Sequence, residues 1–304
     1  MLNELIPAAL HEQRLDRVVS LISDISRAST ATLISVGGVV VDGEVATAGK
    51  VKVREGQQVS IDTSLLPRKE LPQPDPTISL DIVYQDSDVA VINKAPGMVV
   101  HPGAGNPSGT MVNGALALFP EMASVGDTLR PGVVHRLDAG TTGLMVMART
   151  QKAYEFLVDA LSRRDVTRKY VALVWGHPSV QEGIIDAPIG RDHRDPTKMA
   201  VMVDGKTART KFDVVRTFNL PQPCALIECQ LETGRTHQIR VHLDSIGHPV
   251  VGDATYGGAR SSLSCSRPML HATALRFAHP TSGEEMGFEV PIPDDMNQIV
   301  GRCS

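Results

Sequence analysis

Apolar residues at intervals of three and four open the chain. Leu15, Val18, Val19 and Ile22 predict a helix over 11–25, and Leu33 with Ile34 marks a second over 27–35. Gly37-Gly38 supplies the stop. The period then drops to two. V-V-V-D-G-E-V at 39–45 predicts a strand, an Asp-Gly turn and a return strand, and Val51, Val53, Val59 and Ile61 supply two more short strands. Pro67, Pro72, Pro74 and Pro76 crowd the segment 63–78, which predicts a semi-extended linker and a domain boundary. The chain therefore divides into a small module at 1–62, a Pro-rich linker at 63–78 and a larger domain at 79–304.

In the larger domain short alternating or continuous apolar runs predict strands at 82–84, 89–93, 98–101, 133–137, 144–148, 169–175, 210–217, 226–232, 238–243 and 275–278. Helices are expected at 111–119 and 151–163. No period of solenoid length recurs. The pattern is α+β and dominated by sheet.

One run within it carries chemistry. H-R-L-D at 135–138 sits between two apolar segments and precedes a loop of small residues, Ala139 to Gly143. Strand alternation puts Arg136 and Asp138 on one face, with His135 and Leu137 on the other. A carboxylate beside a guanidinium has two readings, an ionised catalytic group or a structural ion pair.

Composition narrows the class. The chain has 304 residues, 42% of them hydrophobic and 21% charged, as in a folded globular protein, and only 4% aromatic, so the core is mostly aliphatic. The longest apolar runs, 115–119 and 144–148, are too short to cross a bilayer, and the start M-L-N-E-L-I-P lacks a secretory pattern. A cytoplasmic location is the expectation, and a monomer the plain one. Cys224, Cys229, Cys265 and Cys303 form no C-x-x-C pair, which suits free thiols rather than a zinc framework.

The net charge of −4 argues mildly against a nucleic-acid partner, but its distribution does not. Residues 130–170 hold eight Lys/Arg against four Asp/Glu, and 191–216 hold seven against four. Two basic segments on an acidic chain can line one groove. Other site types fail on spacing. Gly103, Gly105 and Gly109 with Pro107 among them match neither phosphate-loop pattern. His237 and His242, five apart, point to different faces of a helix or a strand, and no carboxylate cluster joins them, so no metal is expected. No G-x-S-x-G is present.

Several segments together carry a resemblance. N-K-A-P-G-M-V-V-H-P at 93–102, H-R-L-D, R-K-Y-V-A-L-V-W-G at 168–176, T-G-R-T-H-Q-I-R-V-H-L at 233–243, G-H-P-V-V-G-D-A-T-Y-G at 247–257 and L-H-A-T-A-L-R-F-A-H-P at 270–280 resemble the RluA/RluC/RluD family of pseudouridine synthases. The resemblance covers nearly all of 79–304. It implies a catalytic domain on a mostly antiparallel mixed sheet with flanking helices. Residues 11–62 resemble the RNA-binding module named after ribosomal protein S-four, as in RluD-type members. They depart from it where the second helix, usually basic, reads S-T-A-T.

The resemblance further implies roles for single residues. Asp138 is the catalytic aspartate, acting as nucleophile or as base at the sugar. Tyr170 lies against the target base, and Arg235 is the basic residue that pairs with the aspartate. Ile239 packs near the base, Arg136 enters the nucleic-acid stack, and Arg168 and Lys169 contact RNA. His101, His135 and His237 are structural. The implied partner is large-subunit ribosomal RNA, with no cofactor. After H-R-L-D the family commonly has a basic and then an acidic residue, and Ala139-Gly140 stand here instead. That loop is expected to be more flexible and to shift target preference. The competing reading is a non-catalytic RNA-binding or ribosome-assembly protein.

Overall fold

A computed structural model describes residues 1–66, 70–103 and 105–304. The chain forms two compact units, Met1–Glu70 and Leu71–Ser304. The division lies inside the segment read as a linker, of which Pro67, Arg68 and Lys69 fall outside the described residues.

In the first unit, strands β1 (Leu2–Leu5), β2 (Val39–Val41), β3 (Glu44–Val45) and β4 (Gln58–Ile61) form a sheet in the order β1-β4-β2-β3. Helices α1 (Leu15–Ser23) and α2 (Arg27–Ser35) contribute Leu15, Val18, Val19, Leu33 and Ile34 to its core. Helix α1 starts four residues later than the apolar spacing predicts because Glu12 adopts a left-handed backbone, φ 60°, which a helix cannot contain. The fourth strand is not the stretch around Val51 and Val53, where Lys52 makes only an isolated bridge to Arg14. It is the amino-terminal segment, which pairs antiparallel with β4.

The second unit is built on a sheet of order β5-β6-β7-β14-β8-β13-β12-β9, with β15 also pairing β14. The strands are β5 (Ile82–Gln85), β6 (Val89–Lys94), β7 (Thr142–Ala148), β8 (Thr167–Trp175), β9 (Glu182–Asp186), β12 (Arg209–Phe218), β13 (Cys224–Leu231), β14 (Leu270–Ala278) and β15 (Glu285–Glu289). A separate pair, β10 (Ile189–Arg191) and β11 (Met199–Val201), stands apart from it. All pairings in the large sheet are antiparallel except β7 with β14. That contact needs Gly143: at φ +106° its backbone lies so near β14 that a Cβ would sit 2.2 Å from the Ala272 carbonyl oxygen. Helices α3 (Met111–Leu118), α4 (Gln151–Arg163), α5 (Gln238–Ser245) and α6 (Asp294–Val300) flank the sheet.

Four expectations need correction. Residues 98–101 form no strand; the carbonyl oxygens of Val99 and Val100 accept instead from the N–H groups of Met111 and Val112 at the start of α3. Residues 238–243 form helix α5 rather than a strand. Residues 133–137 form no strand, although they run beside β7: Gly132 O accepts from the Ala148 N–H, and His135 Nε2 accepts from the Val146 N–H where a strand would offer a carbonyl. The second half of the linker is not a free spacer. Asn113 on α3 donates from Nδ2 to Gln73 O and accepts at its carbonyl oxygen from the Asp75 N–H. Among the described residues, no helix is long and apolar enough to cross a membrane, and the four cysteines are free thiols.

Candidate active site

Asp138 stands in the loop just before β7, with Thr141 donating its N–H to the Asp138 carbonyl oxygen. Two buried cations grip the next two residues of that loop. Lys94, 1% exposed at the end of β6, donates from Nζ to the carbonyl oxygens of Ala95, Met98 and Ala139. Arg267 donates from Nη1 to Gly140 O and is itself held by Asp295 at 2.6 and 2.8 Å. Ala139 O also accepts from the Gly97 N–H, and a Cβ on Gly140 would come 2.8 Å from Pro268. The loop Ala139-Gly140 is thus pinned by its backbone, which corrects the expected gain in flexibility.

Burial drives the Lys94 ammonium pKa down to about 8; Asp138 opposes the shift and Arg267 adds to it. Between pH 8 and the ordinary lysine value of 10.5, the unfolded chain binds more protons at this group than the folded one. Stability contributed by Lys94 therefore rises with pH across that window. The unfolding free energy of wild type minus that of Lys94→Met should climb by up to ~1.4 kcal/mol per pH unit there. Denaturant midpoints at pH 8 and pH 10 check this, and a constant difference refutes it.

The aspartate is paired, but not with the expected partner. Arg240 on α5 donates from Nη1 to Asp138 Oδ2 at 2.9 Å. Its Nε and Nη2 make a two-point contact with Asp253, 2.6 and 2.9 Å, and Asp253 is fully buried. Burial works against the guanidinium charge, and the two carboxylates outweigh it, so the Arg240 pKa is raised. Arg235 instead donates from Nε to the Thr207 carbonyl oxygen at 3.0 Å. The resemblance pointed to the first arginine of G-R-T-H-Q-I-R, whereas the second makes the pair. Five residues separate them, and the turn into α5 carries Arg240 to the carboxylate while Arg235 stays at the cavity wall.

That turn is shaped by Gln238, whose Oε1 accepts from Thr233 Oγ1 and the Arg235 N–H, while Nε2 donates to Arg209 O and Thr210 Oγ1. His237 caps α5 in a left-handed conformation, φ 56°. Its Nδ1 is 2.8 Å from the Tyr256 hydroxyl, and its Nε2 is 4.0 Å from Asp138 Oδ1. Burial lowers its pKa against the pull of Asp138. Oδ1 accepts no hydrogen bond among the described residues.

Tyr170 lies mid-sheet on β8 between Ala272 and Cys229, small neighbours that leave its ring room. It is buried, which raises its phenol pKa; Arg168 opposes that shift and Asp138 adds to it. Asp138, Tyr170, Arg136, Arg168 and Arg235 line one cavity of about 440 Å³. A recess of about 50 Å³ shares Asp138 and Tyr170 and adds Ile239 and Arg240. Among the described residues, no group of three His, Cys, Asp or Glu side chains is placed to hold a metal ion.

Residues 88–245, which carry most of this constellation, match the family model described as RNA pseudouridylate synthase. Ribosomal large subunit pseudouridine synthase D of Vibrio vulnificus is 45% identical over 94% of this chain and 90% of its own length. The protein of the same name from Escherichia coli strain K12 is 43% identical over 95% and 90%. The chain belongs to the RNA pseudouridylate synthase family. Such enzymes isomerise uridine to pseudouridine in RNA. The fold agrees: the solved structure of human RNA pseudouridylate synthase domain containing 1 matches with a TM-score of 0.59 at 29% identity, over 76% of this chain and 91% of that one.

In this synthase the remaining expected residues divide. Arg136 is exposed at the cavity and Ile239 is buried in the recess wall, each at the site. Lys169 is not brought there. It alternates with Arg168 and Tyr170 along β8, and its Nζ is held by Glu228 at 2.7 Å. The residues missed from sequence are Arg240, Asp253, Lys94 and Arg267, which hold the aspartate and its loop. Their signal was available in part: buried charges at polar positions of otherwise apolar runs.

Proposed function

We propose that the enzyme converts specific uridines of large-subunit ribosomal RNA to pseudouridine, with Asp138 as the group that acts on the sugar. The observation that carries this is the asymmetry of its carboxylate. Oδ2 is tied to Arg240, while Oδ1 has no hydrogen-bond partner among the described residues, and the residue lines a cavity shared with Tyr170. Isomerisation breaks the bond from C1′ to N1 and forms one from C1′ to C5. N1 gains a proton and C5 loses one, so atoms and electrons balance without an external reagent. A partly exposed carboxylate with one oxygen left free suits either nucleophilic attack at C1′ or proton removal from the sugar. In this reading Tyr170 offers a face for the turned base and Arg136, exposed at the cavity, fills the vacated stack, against an unstacking cost of a few kcal/mol.

The names of the relatives support ribosomal RNA as the target. Residues 1–62 serve in this reading as an RNA-docking module. Arg14 and Lys52 are occupied by Asp16 and Glu12, which leaves a modest basic surface and implies weak docking. The purified protein should release tritium from large-subunit ribosomal RNA labelled at uridine C5, at sites confirmed by pseudouridine mapping. Binding without any release would favour the non-catalytic assembly role.

A further inference from the structure

Four Lys or Arg residues are buried among the described residues: Lys94, Arg168, Arg240 and Arg267. Three are answered by acceptors, Lys94 by carbonyls, Arg240 by two carboxylates and Arg267 by Asp295. Arg168, 6% exposed, has none among the described residues: its Nε is closed off from solvent without a partner, and no acceptor meets its Nη atoms. An unpaired buried charge lowers stability, so a fold that keeps one has a use for it.

Its surroundings indicate the use. Arg168 lines the 440 Å³ cavity beside Tyr170, where Asp138 is the sole carboxylate among the described residues and is already engaged by Arg240. Across from it stands Gly234, where a Cβ would come within 2.8 Å of Arg168 Nη1. The absent side chain leaves that nitrogen its place. His135 lines the same cavity. Burial and the Arg168 charge push its pKa down to about 3, so the ring is neutral. Because Nε2 accepts from the Val146 N–H, the proton resides on Nδ1, which is also buried and unpartnered. The wall thus presents a permanent cation and a neutral donor, both unanswered.

We propose that Arg168, with His135 beside it, forms a subsite for one phosphodiester group of the RNA substrate. A phosphodiester supplies both the missing negative charge and acceptor oxygens spaced for a guanidinium, whereas a base carbonyl would leave the charge unpaired. The inference rests on the RNA-substrate reading above and adds which part of the RNA the cavity holds.

The test measures equilibrium binding of a large-subunit ribosomal RNA transcript across a KCl series. With Arg168→Met, the slope of log K against log salt should fall by roughly 0.7 to 0.9, the loss of one phosphate contact. The same variant should melt above wild type, because the unpaired charge has gone, and Arg168→Lys should retain most of the slope. An unchanged slope in Arg168→Met, or a lowered melting temperature, overturns the proposal. So does a variant whose sole change is a displaced pH profile of tritium release, since Arg168 would then serve the Tyr170 phenol. Tritium release by wild type on the same transcript is read separately. Its absence would sink the synthase reading, while the salt slope would still judge the subsite.

Discussion

Asp138→Asn protein should release tritium from C5-labelled RNA at a rate reduced roughly 10³-fold or more, the scale for losing a group that acts as nucleophile or base. The substitution keeps shape and leaves an oxygen to accept from Arg240 Nη1. Arg240 retains its two-point contact with Asp253, so no buried charge is stranded. Stability should therefore shift by only about 1 kcal/mol, the scale of a single hydrogen bond. RNA binding should persist, because the cationic wall is untouched. Single-turnover tritium release beside a binding isotherm separates the two effects. Release at the wild-type rate would remove Asp138 from the chemistry.

Arg240→Met should be the most damaging single change at the site. It strands Asp253, fully buried, without a cation, and breaking a buried pair in this way costs about 3–5 kcal/mol. For a unit of this size that is a drop in Tm of roughly 10 °C. Asp253 also accepts the N–H groups of Thr255 and Tyr256, so the turn that they form should loosen with it. Activity should fall as well, since Asp138 loses the partner that holds Oδ2. Arg235→Met is the control: its guanidinium is exposed and meets one carbonyl, so its Tm should stay near wild type. Equal losses of stability in the two variants would contradict the assignment of Arg240, rather than Arg235, as the buried cation of the site. Thermal melts and tritium release on both proteins decide it.

The contrast between these arginines shows where reading the chain reached its limit. G-R-T-H-Q-I-R identified the segment and placed it at the site. Choosing between its two arginines depended on local conformation. Q-I-R-V-H-L alternates polar and apolar residues and reads as a strand, yet all six residues are buried in α5. The alternation misleads because the polar positions are not facing water. Gln238 and His242, one helical turn apart, both meet Thr210 Oγ1, while Arg240 meets two carboxylates. Buried polar residues that find internal partners erase the solvent signal on which periodicity depends. At 133–137 the sidedness held only in part: Arg136 and Asp138 border one cavity and Leu137 enters the core, but His135, expected on the side of Leu137, lines that cavity too.

By itself the sequence determined the family, a division into two units and most strands of the large sheet, and it singled out Asp138 and Tyr170, which line one cavity. These come from contiguous patterns, where neighbours in the chain constrain one another through pitch, turn chemistry and motif. Tertiary structure alone decided which cation holds the aspartate, that Ala139-Gly140 is clamped by Lys94 and Arg267, that Lys169 turns away, and that Arg168 is left without a partner. The contacts that settle these points join groups 45 to 127 residues apart in the chain. Charge and desolvation decide them only after the sheet has brought the groups together, because an ion pair gains most where water has been excluded.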